Sequence, residues 1–272
     1  MHRTFSALAM ATVMLAPFGA AHAAAITLYD QDFENPASYN NDGGDVNIFD
    51  TVNDNYGNQP AGFAFAQTNT VETLNVSGSH RGAGSAAFGT GWSDPAGVAG
   101  DFAIGMLSDA EDDRLGLSFD VGAFPFFNVF IDISSIDLTT FGGPFVPSGV
   151  EPIFRFTLFD NPTGTVGIGG GMILDSFDLA GTPSAPDTFD FTSGAFGLST
   201  TGNSNGNVTL QIDLLQGGYA AFDNLTLQAS SAPPPQNIPL PPSLLLLLSG
   251  LAAVGIARVR TRRPDAQRVS AH

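Results

Sequence analysis

The sequence predicts an all-β protein, a β-sandwich or jelly roll, with an N-terminal signal peptide and a C-terminal membrane helix. Apolar and polar residues alternate in many short segments, most clearly at 153–160 and 208–215, which places alternate side chains on opposite faces of a sheet. Turn-forming residues recur about every 8–12 residues. The composition agrees, with 23 Phe, 32 Gly and 18 Pro, because aromatic residues favour strands and Gly and Pro favour turns.

The first half of the body reads as short strands between loops. Alternation predicts a first strand at 25–34, directly after the signal peptide. The further strands predicted here lie at 46–52, 63–76 (with a turn near Asn69), 85–89 and 102–107. Runs of Gly, Ser, Asn and Asp predict loops between them.

The second half carries the stronger strand patterns. The strands predicted here lie at 115–121, 124–141, 153–160, 173–179, 188–191, 208–215 and 219–227. The turn sequence Asn161-Pro162-Thr163-Gly164 ends one of them, and the glycines of 167–171 predict a hinge. The dipeptide Phe-Asp recurs along the body, which predicts Phe turned inward and Asp at the surface or at a strand end. No helix is predicted in the body.

The two ends of the chain are read as targeting segments. Arg3, an apolar stretch and then Ala21-His22-Ala23 form a signal peptide over 1–23, with cleavage expected after Ala23. The sandwich domain is predicted over 24–229, followed by a Pro-rich linker over 230–237. The apolar run predicts a membrane helix at 243–259, and 264–272 is a cytoplasmic tail.

Basic residues follow the predicted membrane helix and would hold it in the bilayer. These are Arg258, Arg260, Arg262 and Arg263. By the positive-inside rule they remain on the cytoplasmic side. Taken alone, this arrangement is also that of a plain tail anchor.

The order of a short Pro motif, an apolar helix and an arginine cluster resembles the PEP-CTERM class of sorting signals. The motif residues are Ile238, Pro239, Leu240, Pro241 and Pro242, which align with the Val-Pro-Leu-Pro-Ala variant. The resemblance covers 238–263. It implies export through the inner membrane, processing by an exosortase as partner, and a final place on the cell surface or in an extracellular polysaccharide matrix that forms a biofilm.

The body is strongly acidic. Residues 24–237 hold 25 of the 26 acidic residues and three arginines, which leaves a formal charge of −22, and the chain has no lysine. Such a surface repels nucleic acid, so DNA or RNA binding is excluded as a function class. It attracts cations and favours solubility. The absence of cysteine in an exported chain also means that no disulfide framework stabilises it.

The residues offer little for catalysis. His80 is the single histidine of the body, so a His-rich metal site is excluded and a Ser-His-Asp triad has one candidate base. A two-carboxylate polysaccharide hydrolase remains an alternative, although no spacing singles out a pair. The chain is therefore expected not to be an enzyme.

The first and last strands of the body resemble those of jelly-roll carbohydrate-binding modules. The resemblance is carried by Asp32-Phe33-Glu34-Asn35 and by Phe222-Asp223-Asn224-Leu225-Thr226-Leu227. It implies a structural calcium ion. Since the first and last strands of a jelly roll commonly lie together, Asp32, Glu34 and Asp223 are the expected ligands, with backbone carbonyls. The alternative is that these acids face water.

The sequence thus predicts an exported, non-catalytic structural or adhesive protein of the extracellular matrix. A carbohydrate-binding module for an extracellular polysaccharide is the first alternative. For that role Trp92 and Tyr56 are the candidate rings on which a sugar would stack. The competing interpretation of Trp92 is that it packs over the base of its loop.

Overall fold

The computed structural model describes the body of the chain in segments, which together hold twelve strands and one helical turn. The described residues are 23–37, 46–47, 52–57, 64–67, 71–76, 94–106, 113–136, 149–165, 167–186, 188–217 and 219–235. The strands are β1 (Ala25–Gln31), β2 (Val46–Asn47), β3 (Ala64–Gln67), β4 (Val71–Asn75), β5 (Phe102–Met106), β6 (Arg114–Asp120), β7 (Phe126–Ser135), β8 (Ile153–Asp160), β9 (Ile173–Ala180), β10 (Thr192–Ser199), β11 (Asn207–Gln216) and β12 (Ala220–Ser230). The helical turn is α1 (Val52–Asn55).

The strands form two antiparallel sheets. The seven-stranded sheet has the order β10-β7-β12-β5-β4-β2, with β1 also paired to β12, and the five-stranded sheet has the order β3-β6-β11-β8-β9. Strand β5 pairs with β12, β6 with β11, β7 with β10 and β8 with β9. These nested pairs are the connectivity of a jelly roll, in which one antiparallel ladder winds into two sheets. The all-β, two-sheet prediction is confirmed.

One hydrophobic core lies between the sheets. Its largest side chains include Phe127 and Phe222 of the seven-stranded sheet and Phe154 and Phe156 of the other, all fully buried. Phe154 and Phe222 meet edge to face across the core, with ring centroids 6.4 Å apart. Since the chain has no cysteine, burial of these rings is a main source of its stability.

Strand β10 was not predicted, and the predicted strand at 188–191 is wrong. Residues 192–199 include two glycines, and both mark close approaches. A Cβ at Gly194 would lie 2.5 Å from Leu179 Cδ2, and one at Gly197 would lie 2.9 Å from Asn128 Oδ1. Glycine within a strand often permits such contacts. Residue 188 forms an isolated bridge, and Phe189 is a buried residue of a second, smaller core cluster.

The strand predicted at 46–52 is also corrected. It is a strand at Val46–Asn47, and residue 52 begins α1. Val52, Asn55 and Tyr56 are buried there, and Asn55 Nδ2 donates to Thr73 Oγ1 at 3.1 Å. Burial of one face of this turn against β4 explains why a helical turn replaces an extended segment.

The contacts of the sandwich continue into the predicted linker. Ser231 N donates to Ala24 O at 2.8 Å, and Ala24 N donates to Ser231 Oγ at 2.9 Å. Asn128 Nδ2 donates to Ala232 O at 3.0 Å. The compact unit therefore extends to Pro234.

Both predicted targeting segments lie almost entirely outside the described residues. The described part begins at residue 23 and ends at residue 235. Within it, no helix has the length and apolar character needed to cross a bilayer. The sorting motif and the arginine cluster therefore remain predictions.

Candidate functional site

A bulge in the last strand creates the first candidate site. Core residues Phe222 and Leu225 are separated by two residues, Asp223 and Asn224, instead of one. The pairing of β12 with β7 shifts register at this point. Asn224 has a φ of 50°, a left-handed conformation that asparagine tolerates better than most residues. Strand β12 pairs with β5 before the bulge and with β1 after it. The extra residue turns the Asp223 carboxyl into the gap between these two neighbouring strands.

Glu34 enters the same gap from the end of β1. Its carboxylate accepts hydrogen bonds from Asp101 N at 2.9 Å and from Phe102 N at 3.3 Å, at the start of β5. Gly100 permits this contact, since a Cβ there would lie 2.4 Å from Glu34 Oε1. Asp32 Oδ1 accepts from Glu34 N at 3.2 Å and orders the segment.

The Asp223 side chain is buried without full hydrogen bonding. The residue is 1% exposed. Its Oδ1 accepts from Asn224 N at 2.7 Å, whereas its buried Oδ2 has no hydrogen-bond partner among the described residues. Burial raises the pKa of Asp223 to about 9, and the negative charges of Glu34, Asp132 and Asp32 contribute to the rise. An oxygen in this position is satisfied by a proton or by a cation.

Asp132 of β7 completes the acidic surroundings. It lies directly opposite Asp223 in the ladder. Asn224 Nδ2 donates to Asp132 Oδ2 at 2.9 Å and to Val98 O at 3.1 Å. Ser193 Oγ donates to the other oxygen of Asp132. The negative charges of Asp32 and Glu34 thus act on Asp223, as does that of Asp132, which was not among the predicted ligands.

The donor chemistry at the bulge fits a hard cation, although the side chains do not form a ready cluster. Among the described residues, no group of three or more acidic, histidine or cysteine side chains is arranged to hold a metal ion. Glu34 directs its carboxylate at backbone amides, but a carboxylate can accept about four bonds and can share them with an ion. The unpartnered Asp223 Oδ2 and nearby carbonyl oxygens are ligands that calcium accepts.

Tyr56 does not lie at a sugar-binding surface. It is 3% exposed, its ring packs edge to face on Phe33 at 5.1 Å, and its hydroxyl donates to Phe33 O at 2.8 Å. Burial raises its pKa above the ordinary value for tyrosine. The predicted stacking role of Tyr56 is therefore corrected to a core role. Trp92 lies outside the described residues.

The outer face of the five-stranded sheet forms the second candidate site. Along β11, Val208, Leu210, Ile212 and Leu214 fill the core, so Thr209, Gln211 and Asp213 face outward. The outward side chains form cross-strand rows: Ser118 lies opposite Thr209, and Gln211 lies opposite Thr157. Gln211 Nε2 donates to both oxygens of Asp213 at 2.9 Å.

The arginines on this face alternate with acids. Asp213 lies between Arg114 and Arg155 in the ladder, and Arg155 lies opposite Asp178. Arg155 donates to both oxygens of Asp178, at 2.7 and 2.8 Å, and this bond lowers the pKa of Asp178. Both side chains are largely exposed, so the pair contributes little to stability. It supplies charged, hydrogen-bonding groups to the face.

A glycine segment, 167–171, crosses this polar face and is called the strap. A Cβ at Gly116 would lie 2.3 Å from Gly167 O, and one at Gly169 would lie 2.4 Å from Phe159 Cε2 and 2.5 Å from Gln211 Oε1. The strap therefore rests on β6, β8 and β11. Beneath it is a cavity of about 250 Å³ lined by Asn161, Thr165, Thr209 and residues 167–170. The sequence predicted a hinge here and did not predict the cavity.

Comparisons with known proteins show likeness in fold. No protein-family model matches the chain, and no curated protein matches it. The CBM22-1 xylan-binding domain of Paenibacillus barcinonensis Xyn10C is 8% identical, with a TM-score of 0.36, and the match covers 78% of this chain and 99% of that domain. The TmCBM61 structure with β-1,4-galactotriose is 10% identical, with a TM-score of 0.32, covering 65% and 95%.

An enzyme is among the similar structures as well. A Stig cyclase from Fischerella sp. TAU is 16% identical, with a TM-score of 0.41, and the match covers 77% of this chain and 99% of the cyclase. Binding modules and an enzyme thus resemble this chain to similar degrees. The function has to be argued from the chain's own residues.

Proposed function

We propose that this chain is an exported, non-catalytic protein of the extracellular matrix that binds polysaccharide through the outer face of its five-stranded sheet. The observation that supports it is the set of hydroxyl, amide and charged side chains on that face, around a polar cavity. Sugar hydroxyls both donate and accept, and these groups supply both functions. An acidic body of charge −22 favours a neutral or cation-bridged glycan over a strongly anionic one.

The first prediction tests this face. The full chain should be retained by at least one polysaccharide in an array that includes calcium, and it should release no reducing sugar. Gln211→Leu removes an outward amide and should weaken retention about tenfold, the equivalent of ~1.4 kcal/mol. Thr226→Val, on the other sheet, is the matched control and should leave retention unchanged. Polysaccharide turnover, or equal loss in both variants, contradicts the proposal.

A structural calcium ion at the bulge is the second part of the proposal. Asp223 and Glu34 would hold it, with Asp32 and backbone carbonyls, and the unpartnered Asp223 Oδ2 supports this assignment. The ion would neutralise carboxylates gathered by the first and last strands. In a domain without disulfides, it would link the beginning and end of the fold.

The third part concerns sorting, and it rests on the sequence motif alone. We predict that deletion of 238–272 moves the protein from the matrix or envelope to the free periplasm, and that the matrix form ends near Pro241. Mass spectrometry of the C-terminus measures both. Replacing 238–242 with alanine leaves the apolar run and arginines intact, so a plain anchor would be unaffected. A matrix form that still carries Arg258 to His272 contradicts processing by an exosortase.

A further inference from the structure

The cavity beneath the strap has polar walls that are incompletely hydrogen-bonded. Gln211, which is 8% exposed, lies beside the cavity lining, with its Nε2 bonded to Asp213 and its Oε1 against Gly169 of the strap. Within the part of the chain that the structure describes, this Oε1 accepts no hydrogen bond. The backbone amides of 167–170 likewise have no partner among the described residues. Half-buried donors and acceptors of this kind require a partner from a ligand or water.

The side chains opposite the strap are held in fixed positions. Asn161 Nδ2 donates to Thr209 Oγ1 at 3.0 Å and to Thr165 O at 2.8 Å. Thr209 Oγ1 also bonds Ser118 Oγ at 2.9 Å. A preorganised wall of this type lowers the entropy cost of binding a small polar molecule. Asn161 Oδ1 accepts long hydrogen bonds, at 3.5 Å, from the hydroxyls of Thr163 and Thr165, and those two hydroxyls lie 2.8 Å from each other.

The dimensions of the cavity select the size of the ligand. Its volume of about 250 Å³ lies below the ~300–1,000 Å³ of pockets for drug-sized ligands. It equals the space of roughly eight waters, which suits one ring with its hydroxyl groups. The strap is in contact with Gly116 and Phe159, and the turn at 161–165 closes another side. The cavity is partly open to solvent, so one ring can enter it while the rest of its chain stays outside.

We propose that this cavity binds a single sugar ring, the terminal residue of a glycan chain, with the strap amides as donors and the side-chain oxygens of Asn161, Thr165 and Thr209 as partners for its hydroxyl groups. The inference rests on the proposed function, because it names which part of a polysaccharide the polar face recognises. Chain ends, rather than chain interiors, then determine how much protein a matrix can hold.

The test is competition. The full chain is bound to an immobilised polysaccharide that retains it, and free D-glucose, D-galactose, D-mannose, N-acetylglucosamine and glucuronic acid are added with their methyl glycosides. At least one monosaccharide should displace the protein. On a polysaccharide whose terminal residue differs from the sugar beneath it, removal of that residue by an exo-glycosidase should also abolish retention, although the polymer remains almost intact.

Variants locate the effect in the cavity. Asn161→Ala and Thr165→Ala should each weaken monosaccharide competition about tenfold, and Thr165 is exposed, so its replacement leaves folding intact. Gly169→Ala should displace the strap and abolish competition. Gly57→Ala is the matched control, since Gly57 lies outside the cavity and a Cβ there meets no atom within 4 Å.

The outcomes separate the inference from the proposed function. If polysaccharide is retained but no monosaccharide competes and trimming has no effect, the face binds chain interiors and the inference is overturned. If no polysaccharide is retained at all, both the proposed function and the inference fail. Competition that Asn161→Ala and Thr165→Ala leave unchanged places the sugar elsewhere and also overturns the inference.

Discussion

Millimolar calcium is expected to raise the melting temperature of the full chain, and Glu34→Gln and Asp223→Asn are each expected to remove that rise. Binding to the folded state alone adds RT ln(1 + [Ca]/Kd), about 2.7 kcal/mol at a hundredfold excess over Kd. For a domain of this size, that is a shift of roughly 5–10 °C. The effect should be large because Asp223 Oδ2 has no hydrogen-bond partner within the part of the chain that the structure describes.

Three controls decide whether the shift belongs to the bulge. Sodium chloride at matched ionic strength measures general screening of the acidic surface. Glu151→Gln changes an exposed carboxylate away from the bulge, and it should keep the full calcium response. A chelator should reverse the shift. If sodium chloride reproduces the rise, or if Asp223→Asn retains it, the calcium site is abandoned.

The alternation of the sequence predicted most of the fold because each strong strand buries one face. Strand β8 has the predicted bounds, and Phe156 and Leu158 are buried as alternation requires. The prediction that each Phe-Asp pair turns Phe inward and Asp outward is wrong where the position of a strand in the fold overrides the local pattern. At 159–160 the Phe lies on the outer face beneath the strap, and Asp160 is the buried partner of Asn203 and Ser204.

The acidic site was predicted in part, for a topological reason. The first and last strands pair in the fold, so the negative charges of Asp32 and Glu34 act on Asp223. The register of β7 against β12 is not encoded in any local pattern, so Asp132 was missed. The bulge has a visible signal, since Phe222 and Leu225 break the period of two. That signal could have indicated that Asp223 leaves the usual alternation.

The polar face was missed because outward polar residues are the ordinary expectation for a strand. Thr209, Gln211 and Asp213 read as solvent-facing positions. Thr209 lines the cavity at the strap and Gln211 contacts Gly169 of the strap, which comes from a distant part of the chain and rests on Gly116. Glycine at 116 within a strand pattern was the available clue to a close backbone approach.

With a chelator present, the free energy of unfolding is expected to fall as pH rises from about 4 to about 9, and Asp223→Asn is expected to remove much of that fall. Asp223 keeps its proton in the folded state up to a pKa of about 9, whereas its ordinary value is 3.8. Between these values the folded state binds more protons than the unfolded state. The stabilising difference is fully present below the ordinary value and is lost as pH rises through the raised one.

The comparison with Asp223→Asn isolates this group from its neighbours. Asp32 and Glu34 at the end of β1, Asp132 on β7 and Tyr56 after α1 all face it and remain in both proteins. The slope due to Asp223 can reach ~1.4 kcal/mol per pH unit, so urea unfolding at pH 5, 6.5 and 8 resolves it. The variant should equal the wild type in stability near pH 4 and exceed it at pH 8, because asparagine remains neutral.

Asp190→Asn, at an exposed position, is the control and should behave as the wild type. If the pH dependence of stability is unchanged in Asp223→Asn, the proton retained in the folded state belongs to another group. The Asp223 carboxyl would then be charged in the folded state and held by a cation even with the chelator present.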